Sequence, residues 1–239
     1  MTLRRQMKTS KNNIIDIVSD DVRTEDHFSN PSSYADAVLT QINEEQIYDE
    51  IFDDEDNLTI LDIGANIGLF SLYAQDSSVA IYAIEPTPSH FEILQDLTKD
   101  YPSVHRLQYA VHNEDTTIDF YVNEENSTMN SSKIEYGTKI SVQARTIYSI
   151  INELQLDHVD FVKCDIEGSE LTALTIETVG AVKDIVDCWF IEVHAPSAPY
   201  EIWKDELEKN RRHIASVFEN CNYQVQDLRH DGLFVSKAG

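Results

Sequence analysis

Two short apolar runs, Leu58–Ile63 and Val79–Ile84, are each followed by a segment of helical spacing, Ile67–Gln75 and His90–Asp100, and then by a third run, Val104–Val111. Runs this short and this apolar read as strands buried on both faces. Alternating them with helices produces a parallel sheet covered by helices. The resulting βαβαβ pattern is half of a doubly wound α/β sheet. The pattern resumes later, with a helix expected over Ile147–Leu156, a strand over Val159–Asp165 and a helix over Glu170–Thr178. A strand over Val186–His194 and a long helix over Tyr200–Asn220 follow. Tyr223–Leu228 and Leu233–Ser236, on either side of His230-Asp231-Gly232, predict a C-terminal hairpin, which adds an antiparallel strand to a mostly parallel sheet.

Two segments break the alternation. Thr117–Val122 and Lys139–Ala144 alternate with period two and predict extra strands inserted in the middle of the fold, each with one exposed face. The polar patch between them, around Asn126–Lys133, is a candidate substrate loop. At the other end, residues 1–53 form a polar arm followed by a cap helix, in which Val38, Ile42, Ile47 and Ile51 recur at helical spacing. Residues 54–239 make up the main domain. An apolar fraction of 41% in 239 residues suffices for its core.

A formal net charge of -25 repels phosphate backbones and anionic membrane surfaces, so the expected partner is a small molecule, not nucleic acid or membrane. Cys164, Cys188 and Cys221 are scattered without metal-ligand spacing, which predicts buried free thiols. With no apolar signal region and no run of membrane-spanning length, the expected location is the cytoplasm.

In wound sheets ligands bind outside the C-terminal strand ends. The loop after the first strand reads Asp62-Ile63-Gly64-Ala65-Asn66-Ile67-Gly68. Compared with the dinucleotide fingerprint, Asn66 stands where a glycine makes room for a pyrophosphate, and Asp62 at the strand end would repel one. Glu85 ends the second strand about 20 residues further on, where an acid accepts ribose hydroxyls in such folds. Together these residues describe an adenosine-type ligand that carries positive charge and no diphosphate.

Leu61-Asp62-Ile63-Gly64-Ala65-Asn66-Ile67-Gly68, Ala83-Ile84-Glu85-Pro86-Thr87-Pro88 and Val162-Lys163-Cys164-Asp165-Ile166-Glu167-Gly168-Ser169-Glu170 resemble, in order and spacing, the FkbM family of S-adenosylmethionine (SAM)-dependent methyltransferases. The resemblance implies a Rossmann-like, seven-stranded class I methyltransferase fold with a terminal hairpin. It also implies SAM as cofactor and, in the main, O-methylation of small molecules or sugars. By this resemblance Asp62, Gly64, Ala65, Asn66 and Gly68 surround the methionine part of SAM. Glu85, followed by Pro86, holds the ribose, Ala110 and Val111 lie near the adenine, and Asp165 completes the set. Many class I enzymes carry an acid at the adenine position, and this sequence carries none at Ala110 or Val111.

On the acceptor side, the fourth and fifth strands of the wound sheet are neighbours in this fold. One offers Lys163, Asp165 and Glu167 at its end, and the other Glu192 and His194. Lys163 interrupts an apolar strand and needs a partner, either Asp165 or Glu192. His194 or Asp165 is a candidate general base, with Lys163 as the third catalytic residue. Asp165, Glu192 and His194 could instead hold Mg2+ or Mn2+, or the group could be a structural polar network. Two other functions stay open on the sequence: a nicotinamide-dependent oxidoreductase on a similar sheet, and a non-catalytic SAM-binding protein.

Overall fold

The computed structural model describes residues 57–75, 79–122, 137–195, 202–228 and 232–238. The expected N-terminal arm and cap helix, and the candidate substrate loop around Asn126–Lys133, lie outside these residues. In chain order the described elements begin with β1 (Leu58–Ile63), α1 (Leu69–Ala74), β2 (Val79–Ile84), α2 (Pro88–Leu97), β3 (Val104–Leu107), β4 (Ala110–Val111), β5 (Thr116–Val122) and β6 (Thr138–Arg145). They continue with α3 (Ile147–Glu153), β7 (Val159–Cys164), α4 (Glu170–Ala173), α5 (Ile176–Gly180), β8 (Val186–Glu192), α6 (Trp203–Asn220), β9 (Tyr223–Asp227) and β10 (Gly232–Lys237).

Seven strands form one sheet in the order β3-β2-β1-β7-β8-β10-β9. Its pairings are parallel from β3 through β8, and β10 runs antiparallel to both β8 and β9. The apolar runs fill both faces because successive side chains alternate. Ile60 and Phe161 pack on one face with Phe70, Leu72, Ile93 and Leu94 from α1 and α2. Leu61 and Val162 pack on the other with Ile147 and Ile151 of α3, Val179 of α5, and Ile214 and Phe218 of α6. Trp189 is fully buried there, meeting Phe218 edge-on at 5.1 Å between ring centroids.

Two elements differ from the expected ones. The run Val104–Val111 is two strands, and only β3 joins the large sheet. Its partner β2 ends at Ile84, opposite Leu107, so no paired backbone remains to carry the strand further. The chain crosses instead to β6, and β4 becomes part of a three-stranded sheet in the order β4-β6-β5. The inserted strands therefore form a sheet of their own, with Phe120, Val142 and Ala144 as its core. The expected helix Glu170–Thr178 is likewise divided. Thr175 turns to extended backbone and caps α5, its side chain accepting from the Thr178 N–H while Thr178 returns a bond to the Thr175 N–H. A threonine whose hydroxyl can satisfy free helix N–H groups favours a cap over a helix interior.

From β1 the chain winds outward through β2 and β3, and on the other side through β7 and β8. Strand order reverses between β1 and β7, so the C-terminal ends of these two strands open the crevice in which ligands of wound folds bind.

Candidate active site

Asp62 and Lys163 are register partners on β1 and β7, at the switch point itself. Asp62 is fully buried and accepts a 2.6 Å hydrogen bond from the Ser71 hydroxyl through Oδ2. Its Oδ1 accepts no hydrogen bond among the described residues. Burial raises the Asp62 pKa, and the Lys163 ammonium and Ser71 offset only part of this. A buried carboxylate with a vacant acceptor is costly by itself and is stabilised by a cationic donor.

The loop after β1 is held against β2, because the N–H groups of Gly64 and Ala65 both donate to the Ile84 carbonyl at 2.9 and 3.0 Å. Gly64 has φ 79 and lies directly on the backbone carbonyl of Asp165, so a side chain there would overlap that oxygen. Asn66 also adopts the left-handed region, at φ 52. Its N–H donates to Glu85 Oε2 at 3.0 Å, and the Thr87 N–H donates to Glu85 Oε1 at 2.9 Å. Glu85 is thus fastened between the two loops, and each oxygen retains a lone pair for another donor. Burial pushes its pKa up to about 7 against these bonds.

Pro86 is half-buried beside Glu85, and Gly68 opens α1. Of the two residues expected near an adenine, Val111 packs in the core layer that contains Ile63 and Ile84, whereas Ala110 packs in the small sheet.

Lys163 and Asp165 form the expected ion pair at 3.1 Å. The carboxylates of Asp165, Asp62 and Glu192 overcome the burial of Lys163 and hold its ammonium firmly protonated. The Asp165 carboxyl lies below its ordinary range, because Lys163 and His194 outweigh its burial. His194, just past β8, is surrounded by acids. Its Nδ1 is 2.9 Å from Glu170 Oε1, and its Nε2 lies 3.6 Å from Glu167, 3.7 Å from Glu192 and 3.9 Å from Asp165.

Burial alone would lower the His194 pKa. The bond to Glu170, with the charges of Glu170, Asp165 and Glu167, pushes it up to about 10. This lies above the ordinary histidine value of about 6.5, so the ring favours its protonated form at neutral pH. Burial and the neighbouring Asp165 charge push Glu167 up to about 8.

Of the expected metal ligands, Asp165 and His194 group with Glu167, their ligand atoms within 4.8 Å of one another, and Glu192 lies 3.7 Å from His194 Nε2. Lys163 already pairs with Asp165, so a cation at this site would share that carboxylate with the ammonium.

The raised pKa values have a common consequence. Between about pH 4.5 and 7 the folded Glu85 binds more protons than its unfolded counterpart, so stability falls as pH rises. The His194 contribution is complete below about pH 6.5 and is lost as pH rises toward about 10. The ligand-free chain is expected to melt several degrees lower at pH 9 than at pH 6 in scanning calorimetry, and a melting temperature that rises over this range would contradict the assignment.

Glu170 and Ser71 are site residues that the sequence reading did not select. The signal for Ser71 was a polar residue within the apolar stretch Leu69–Ala74, all of which is buried. For Glu170 the signal was its spacing from Glu167, since Glu167 and Gly168 both adopt the left-handed region and turn the chain back so that the Gly168 N–H reaches Glu170.

Among the described residues no helix is long and apolar enough to cross a membrane. No curated protein matches the sequence. In fold the chain is similar to the Methanococcus jannaschii fibrillarin pre-rRNA processing protein, at 14% identity over 77% of this chain and 67% of that one, with a TM-score of 0.50. It is also similar to WbdD, at 11% identity over 95% of this chain and 47% of that one, with a TM-score of 0.52. A model of the methyltransferase FkbM domain matches residues 62–225, spanning both loop clusters at the switch point. That match covers more than half of the sequence, and the chain belongs to the FkbM family of methyltransferases.

Proposed function

We propose that this chain transfers the methyl group of SAM to a hydroxyl oxygen of a small molecule or sugar. The observation that carries the cofactor is the buried Asp62 carboxylate at the switch point, whose Oδ1 accepts no hydrogen bond among the described residues. SAM carries an ammonium and a sulfonium, and either matches a buried anion better than a nicotinamide dinucleotide with its pyrophosphate does. Membership of a methyltransferase family sets the oxidoreductase reading aside. Glu85, anchored by two backbone N–H groups, keeps acceptor capacity for the ribose hydroxyls.

SAM, when bound, supplies an electrophilic methyl group on a leaving group that departs neutral and needs no acid. The work left to the protein is to orient the acceptor and remove its proton. His194, Glu167, Asp165 and Glu192 converge at the ends of β7 and β8, next to the strand that carries Asp62. Once it has lost its proton, His194 is a base for the acceptor hydroxyl, with Asp165 and Glu192 as hydrogen-bond acceptors for neighbouring hydroxyls. The net charge of -25 favours such an acceptor over RNA.

The test is methyl transfer from labelled SAM to a panel of sugars, phenols, amines and RNA, each with and without a chelator. Label is expected in a neutral hydroxylated acceptor, with activity unchanged by EDTA. Transfer to RNA alone would overturn the acceptor class, abolition by EDTA with recovery on Mg2+ would restore the metal reading, and SAM binding without turnover on any acceptor would favour a non-catalytic role.

A further inference from the structure

Glu170 is fully buried, yet its Oε1 serves three partners. It accepts from the N–H of Ile166 at 3.3 Å and from the N–H of Gly168 at 3.1 Å, and it lies 2.9 Å from His194 Nδ1. The two backbone groups can only donate. An oxygen that already accepts twice repels a lone pair placed at hydrogen-bond distance, so Nδ1 must face it as N–H. The same conclusion holds if the carboxyl takes up a proton, because Oε1 already faces two donors, which leaves Oε2 to carry that proton. The His194 carbonyl is anchored separately by the Asn210 side-chain amide of α6 at 2.8 Å, so backbone and ring are each fixed.

We propose that Glu170 is a positioning residue of the acceptor side, holding the proton on His194 Nδ1 so that Nε2 is the nitrogen that takes the acceptor's proton. The proposal rests on the methyl-transfer reading of the site. One carboxylate thereby sets the turn Asp165–Gly168, on which Gly64 of the cofactor loop sits, and the tautomer of the base. The charged groups facing the ring are Glu170 from α4, Asp165 and Glu167 from the turn after β7, and Glu192 from β8. The last three all lie on the Nε2 side, where they favour the protonated ring. Glu170 Oε1 is within hydrogen-bond distance of the ring at 2.9 Å, whereas the three carboxylates on the Nε2 side lie at 3.6, 3.7 and 3.9 Å, so Nδ1 holds its proton more tightly and Nε2 is the nitrogen that gives one up.

The experiment uses the full chain labelled with 15N-histidine, read by long-range 1H–15N correlation through a pH titration alongside kcat and KM profiles. In the unsubstituted protein Nδ1 is expected to stay protonated while Nε2 titrates. In Glu170→Gln the amide oxygen can still accept from the turn but the negative charge is gone. The His194 titration and the ascending limb of kcat/KM should then both move to lower pH, with KM for SAM changed less than about threefold. Glu170→Ala should give a mixture of tautomers and a kcat at least about tenfold lower.

A purely structural role would lower the melting temperature and weaken SAM binding but leave the limb where it was. That result, or an Nε2-protonated tautomer in the unsubstituted chain, overturns the proposal. Should the chain transfer no methyl group at all, the proposed function fails, and the spectrum still decides the tautomer. Should transfer proceed with an unmoved limb in Glu170→Gln, this inference fails and the function stands.

Discussion

Replacing His194 with alanine is expected to lower kcat by about 10²–10⁴-fold, the usual range for losing a positioned general base, while SAM affinity changes by no more than about threefold. The separation follows from the layout of the sheet. His194 follows β8, two strands away from β1, and its polar side-chain partners are Asp165, Glu167, Glu170 and Glu192. The pH dependence should carry a second signature. A base held as imidazolium to about pH 10 must lose its proton before it can accept one, so kcat/KM of the unsubstituted enzyme should climb through the alkaline range. An ordinary histidine would give its rise near about pH 6.5. Full activity in His194→Ala, or a profile already level by pH 7, would remove His194 from the chemistry.

The largest effect on the cofactor side is expected from Gly64→Ala. Gly64 sits at φ 79, where a side chain costs about 1–2 kcal/mol, and its added Cβ would collide with the Asp165 carbonyl. That carbonyl cannot move away cheaply, since the Asp165 N–H is bonded to the Ile63 carbonyl at 3.0 Å and its neighbours complete the turn to α4. Overlap and backbone strain together should cost about 2–5 kcal/mol, which lowers the melting temperature by about 5–15 °C. Because the displaced loop carries the Asn66 N–H that anchors Glu85, SAM affinity should fall at least tenfold, on the order of 1.4 kcal/mol or more. Gly180→Ala is the control. It lies at the end of α5, and its added Cβ meets only the Cys221 sulfur at an ordinary 3.8 Å, so it should be neutral or slightly stabilising.

Much of this arrangement is legible in the chain. The large sheet follows from runs such as Leu58–Ile63 and Val159–Cys164, which have no solvent-tolerant face and so must be central. The loop after β1 is legible in its shape, because Gly64 and Asn66 take the left-handed backbone a sharp strand-to-helix turn needs and the Asn66 N–H ties to Glu85 at the end of the next strand. What the sequence hid depends on contacts between distant segments. The division of Val104–Val111 is set by where β2 ends, not by any residue in the run itself. The raised pKa of His194 comes from acids at 165, 167 and 170, which neither helical nor strand periodicity brings to the end of β8. Glu170 opens a helix, where an acid is favoured whatever its role. Its partner is 24 residues away, and only the left-handed backbone at Glu167 and Gly168 reveals why its carboxylate turns toward the strand ends.

Whether a SAM-type cofactor is held at the switch point by Asp62 and Glu85 is decided by a crystal structure with S-adenosylhomocysteine. Ligand density is expected over the Gly64–Gly68 loop, with the ammonium on the Asp62 side of the crevice and the ribose hydroxyls on Glu85. His194 Nε2 should face the empty space beyond the sulfur. Density elsewhere on the protein, or a ligand at the switch point that leaves both Asp62 and Glu85 without contact, would contradict it.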